Sequence, residues 1–166
     1  PGGGGGLPIP QVLGATNVPS LEGDGGDDGN DVTHLSVDLP IPQQASEGCL
    51  LVASVHTRSS IPAAPEGWTL HSEHAPQNSY TSQLTVFTKT AEAGDAGSAV
   101  TFTQTSETVV GGQIFALNEG VIETITSASS PLWVEGESKP SDLNEASIAT
   151  LGQRQNLLSA FWNWAS

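Results

Sequence analysis

In residues 32–39 the chain reads Val-Thr-His-Leu-Ser-Val-Asp-Leu, so apolar Leu35, Val37 and Leu39 alternate with polar His34, Ser36 and Asp38. Successive side chains of a strand point to opposite faces, so a period of two buries one face and wets the other, and it does not suit a helix. Residues 81–90 alternate in the same way, and residues 99–105 do so with Val100 and Phe102 inward. The second of these segments is the expected neighbour of the first, across a turn at 93–98. Residues 48–57 are more continuously apolar, as in a strand covered on both faces near its start. The turn Pro65-Glu66-Gly67 leads Trp68 into a strand, and 109–117, 145–150 and 156–164 complete the set. Inside 109–117, Gly111-Gly112 suggests a bulge or a close backbone approach. About eight strands at roughly 10-residue spacing, separated by turn signals, predict a sandwich or jelly roll.

Composition removes the alternatives. Of 166 residues only 13% are charged and 36% hydrophobic, with 19 Gly and 11 Pro, which leaves too little for helix bundles or coiled coils. Four basic residues, Arg58, Lys89, Lys139 and Arg154, face 18 acids for a net charge of −14. No basic stripe exists to neutralise phosphates, which argues against nucleic acid and against an anionic membrane surface. No apolar run approaches the roughly 20 residues of a spanning helix, so no membrane insertion is expected. The single Cys49 lies in Cys49-Leu50-Leu51-Val52-Ala53 and reads as a small buried hydrophobe.

Residues 1–31 differ from the rest. Glycines 2–6 resist ordering, and Leu7-Pro8-Ile9-Pro10-Gln11 favours extended chain. The string Leu-Pro-Ile-Pro-Gln recurs at 39–43, as a stiffened connector in both places. Two segments are therefore expected: an extended Gly/Pro/Asp-rich arm and linker over 1–31, and a β-sandwich domain over 32–166.

Several clusters could carry chemistry. Asp24, Asp27, Asp28, Asn30 and Asp31, interleaved with Gly23, Gly25, Gly26 and Gly29, offer the oxygens and sharp turns that calcium needs. The spacing lacks the EF-hand's twelfth-position Glu, and the competing reading is a solvated acidic linker. His71 and His74 are expected as exposed loop histidines, because no further ligand stands at zinc spacing. His34 and His56 alternate with apolar residues and are expected on wet faces. Ser59-Ser60 lies in no nucleophile elbow, and Glu135 with Glu137 is a pair that any acidic chain supplies. No catalytic set and no cofactor site emerge. Tyr80, Trp133, Trp162 and Trp164 exceed what the core needs and are candidates for subunit contact or for stacking on a glycan.

The order of these signals resembles a known module. Glu47-Gly48 with Leu50–Ala53, Ile61, Ala64-Pro65-Glu66-Gly67-Trp68-Thr69-Leu70, Leu84–Ala91, Val100–Thr103 and Gly112–Leu117 resemble a jelly-roll-like β-sandwich module of phage virion proteins (decoration, head-spike or tail-fibre) and of bacterial surface proteins. The resemblance spans about 32–164. Where related modules often carry aromatic-Arg-Gly after the bulged strand, this chain has Leu117-Asn118-Glu119-Gly120, so an Arg-centred contact is missing. The strand at 156–164 stops two residues before Ser166 without a returning partner, which suggests either a longer protein or a neighbouring subunit that covers it.

The resemblance implies a non-enzymatic structural protein at a virion surface or in an extracellular setting. Its expected partners are copies of itself and other virion or filament subunits, and it could also contact a cell-surface glycan. The alternatives are a carbohydrate-binding adhesion module and a subunit of a bacterial extracellular filament.

Overall fold

A computed structural model describes residues 11–19, 34–58, 62–74, 82–108 and 110–118. Within them every regular element is a strand: β1 (Val12–Val18), β2 (His34–Pro40), β3 (Leu50–Arg58), β4 (Thr69–His74), β5 (Ser82–Thr90), β6 (Ala99–Thr108) and β7 (Val110–Leu117). They form a five-stranded sheet in the order β1-β7-β3-β5-β4 and a two-stranded sheet β2-β6. All neighbours run antiparallel. The described residues are thus all-β, in an arrangement consistent with a β-sandwich.

The core lies between the sheets. Leu51, Ala53 and Val55 of β3, Phe87 of β5, and Val110, Ile114 and Ala116 of β7 meet Val37 and Leu39 of β2 and Phe102 of β6. The period of two explains this set, since β3 places every second residue there. Phe102 is its hub: Trp68 meets it edge-on at 5.6 Å between ring centroids, and Phe87 is tilted against it at 5.0 Å. Aromatic pairs in such geometries add about 0.5–1.5 kcal/mol to the area they bury. Cys49 is buried among these residues, as expected. Gly112 is the close approach that its doublet suggests, for a Cβ there would lie 2.7 Å from Leu39 Cδ1 and 2.8 Å from the Ser54 carbonyl oxygen.

One turn design recurs. In Ser46–Cys49, Pro65–Trp68, Glu92–Asp95 and Asp95–Ser98 the fourth amide donates to the first carbonyl at 3.0–3.1 Å. The third residue of each is a glycine at positive φ: Gly48, Gly67, Gly94 and Gly97. That is the backbone of a type II turn, where a side chain at the third position is strained.

Two expectations change. β6 does not pair with β5; it pairs with β2, while β5 lies between β3 and β4. The connection 91–98 contains two consecutive turns and crosses to the other sheet. There Ile41 N donates to Ser98 O at 2.7 Å and Gly97 N donates to Ile41 O at 3.2 Å. Residues 12–18, inside the segment read as an arm, form β1 and pair with β7. Gln11 and Asn118 extend that pairing, and the Thr16 hydroxyl donates to the Pro40 carbonyl of β2. The expected strands at 145–150 and 156–164 lie outside the described residues.

Candidate functional site

The most informative surface is the set of sheet edges. Among the described residues three large apolar side chains stand exposed: Val12 at 52%, Leu35 at 50% and Leu70 at 40%. They belong to β1, β2 and β4, each of which ends a sheet. Each also sits at a break in register, between Val12 and Gly14, between His34 and Ser36, and between Leu70 and Ser72. The interior strand β3 pairs with β5 and β7 without any such break.

A bulge bends an edge strand and re-aims the side chain beside it. Leu35 shows this directly: alternation places it inward with Val37 and Leu39, yet the irregularity turns it outward. Bulged edges resist open-ended strand addition, because the row of backbone donors and acceptors is interrupted. What remains at each edge is an isolated apolar knob beside interrupted backbone. That arrangement offers apolar area to another surface. The remaining edge, β6, is met by Ala63, whose amide donates to Thr103 O at 2.8 Å.

The polar groups near the β5–β6 connection are committed to structure. Lys89 Nζ lies 3.0 Å from Asp95 Oδ1 and 3.3 Å from Glu92 Oε2, in an open recess lined also by Leu50, Gly67, Thr69, Thr88 and Thr90. Asp95 Oδ2 accepts the Glu92 amide at 2.7 Å, and the Asp95 carbonyl accepts the Ser98 hydroxyl at 2.7 Å. Partial burial opposes the charge on Lys89, but the hydrogen bonds and charges of Asp95 and Glu92 outweigh it and raise its pKa above the ordinary value. A lysine held in its ammonium form is unsuited to act as a nucleophile. On the two-stranded sheet, Thr101 Oγ1 donates to Asp38 Oδ1 at 2.5 Å and Gln104 Nε2 donates to His34 O at 2.6 Å.

The histidines need correction. His56 is not on a wet face; it is 4% exposed, and burial lowers its pKa from the usual value. It lies in β3, the middle strand of its sheet, where both faces are covered and alternation no longer separates wet from dry. His71 is exposed as expected, but both it and His74 belong to β4 rather than to a loop. Among the described residues no group of three or more His, Cys, Asp or Glu side chains could hold a metal ion. No helix among them is long and apolar enough to cross a membrane.

The candidate calcium ligands Asp24, Asp27, Asp28, Asn30 and Asp31 lie outside the described residues, as do Tyr80, Trp133, Trp162 and Trp164. Ser59, Ser60, Glu135 and Glu137 lie outside them too. The edge residues Val12, Leu35 and Leu70 were not legible as surface residues, because a register break leaves no signature in the hydrophobic pattern. Comparison with protein-family models, with curated proteins and with solved structures finds no match to this chain.

Proposed function

We propose that this chain is a non-enzymatic structural protein of a virion surface: a capsid decoration, head spike or tail fibre. Its sandwich, of jelly-roll type, assembles with further copies and with neighbouring subunits through its sheet edges. The observation that carries this reading is the coincidence of an exposed apolar side chain, an edge strand and a register break at Val12, Leu35 and Leu70. Burying the half of such a side chain that is still exposed contributes about 1 kcal/mol, so several together can support a repeating assembly. The resemblance over 32–164 supports the virion setting, and the net charge of −14 suits a solvent-facing surface. The Gly/Pro-rich residues before β1 reach a neighbour, as extended arms do when they fasten one subunit to the next.

The adhesion and filament alternatives differ in what they bind. A glycan array probed with the full chain, run beside chemical cross-linking of the same sample, separates them. The structural reading expects cross-linked multimers and no glycan signal. A reproducible glycan hit from a chain that yields no multimers replaces it with the adhesion module.

A further inference from the structure

β1 takes its place on the sheet from residues far away in sequence. All seven of its positions are half-buried or exposed, whereas β7, which it flanks, opens with three buried residues. Only Leu13 and Val18 pack against the core, and both are partly buried. The seat that holds β1 is built from two other stretches of chain. β7 sets the register, from Val12 opposite Leu117 to Val18 opposite Gly112. Asn118 Oδ1 accepts the Gln11 amide at 2.7 Å, the Asn118 amide donates to Gln11 O at 3.0 Å, and the Pro40 carbonyl accepts the Thr16 hydroxyl. The closest fit is at Gly14, where a Cβ would lie 2.5 Å from Gln44 Oε1 and 3.1 Å from Pro42 Cβ. This seat specifies a strand of this sequence without specifying which copy supplies it.

On the reading that copies assemble through their sheet edges, we infer that β1 is exchanged: β1 of one copy occupies the seat beside β7 of the next. Fifteen residues, 19–33, connect β1 to β2. At about 3.3 Å each they span up to about 50 Å, enough to carry β1 past its own sheet to a neighbour. Exchange keeps every contact between β1 and β7, so it is a low-cost route from monomer to oligomer. What tips the balance is any contact that exists only between copies, and the exposed Val12, Leu35 and Leu70 offer it. A copy whose β1 has left presents β7 as an open edge of unpaired backbone groups, which only another strand satisfies. Each copy therefore gives one strand and takes one, and the joined copies either close on themselves or extend.

Cysteine variants of the full chain test this. Asn17 and Gln113 are register partners, and antiparallel partners have Cα atoms about 4.5–5.5 Å apart, within disulfide range. Chains with Asn17→Cys are co-expressed with chains with Gln113→Cys, purified together and oxidised, and the bonded peptides are identified by mass spectrometry. The native Cys49 is buried in both. The expected product is a covalent dimer linked from position 17 to position 113. It should exceed by about tenfold or more the dimer from Asn17→Cys with Glu66→Cys, an exposed turn position at the β4 end of the sheet, because a seated strand is held at high effective concentration. A chain carrying both Asn17→Cys and Gln113→Cys reports that the bond forms at this register. If that chain closes the bond only within itself, and the mixture gives no more dimer than the control while the wild type still sediments as multimers, exchange is overturned and assembly through the edges stands. A wild type that is monomeric at every concentration, with no link from 17 to 113 between chains, overturns both.

Discussion

Thr85 is fully buried on β5, and its hydroxyl finds no hydrogen-bond partner. A buried hydroxyl without a partner costs about 1–3 kcal/mol, and a methyl group of the same shape removes that cost. Thr85→Val is therefore expected to raise the unfolding free energy by about 1 kcal/mol in chemical denaturation; a loss of stability contradicts the assignment. His56 makes a different kind of prediction. Its folded pKa lies below the ordinary 6.5 because burial disfavours the imidazolium. As pH falls below that value the unfolded chain takes up the proton more readily than the folded one, so stability declines until the folded pKa is passed. Above it, the group contributes no pH dependence. His56→Gln should flatten the stability profile on the acid side of 6.5 relative to wild type. Denaturation midpoints for the two proteins that fall in parallel from pH 7 to about 5 contradict it.

The strands were legible where a one-sided face or a turn glycine marked them. Val37, Leu39 and Phe102 fall inward as their alternation dictates, and Gly48 and Gly67 turn the chain as their neighbours suggest. β1 was not legible, because Val-Leu-Gly-Ala-Thr-Asn-Val mixes small and polar residues on both faces and gains its place only by pairing with β7. Nor was the partner of β6, since a strand with one apolar face fits either sheet and the choice is made by the connection before it. That connection is pinned by Asp95, which ties Lys89, the Glu92 amide and Ser98 together. Asp95→Ala removes a half-buried ion pair and a capping acceptor in one step. The expected loss is about 1–2 kcal/mol, read by thermal or chemical unfolding, with amide exchange rising first over residues 92–98. Uniform exchange across the chain, with 92–98 no faster than 34–40, contradicts a local role.

At the scale of the whole molecule, the described residues combine a core between two sheets with bulged edges that carry apolar knobs, and the proposed assembly uses those edges. The candidate site was the least legible part of the chain. Acidic, histidine and tryptophan clusters drew attention by residue type, while Val12, Leu35 and Leu70 are unremarkable until pairing and register are known. Because all three are exposed, lysine at each should change stability by no more than about 0.5 kcal/mol per site while removing the apolar contact. Sedimentation velocity of the full chain over a range of concentrations, set beside the triple variant Val12→Lys, Leu35→Lys, Leu70→Lys, tests the assembly claim most directly. The wild type is expected to shift to larger species as concentration rises, and the triple variant to stay monomeric with its fold intact. A wild type that is monomeric throughout, or a triple variant that associates equally well, contradicts the claim that these edges join one copy to the next.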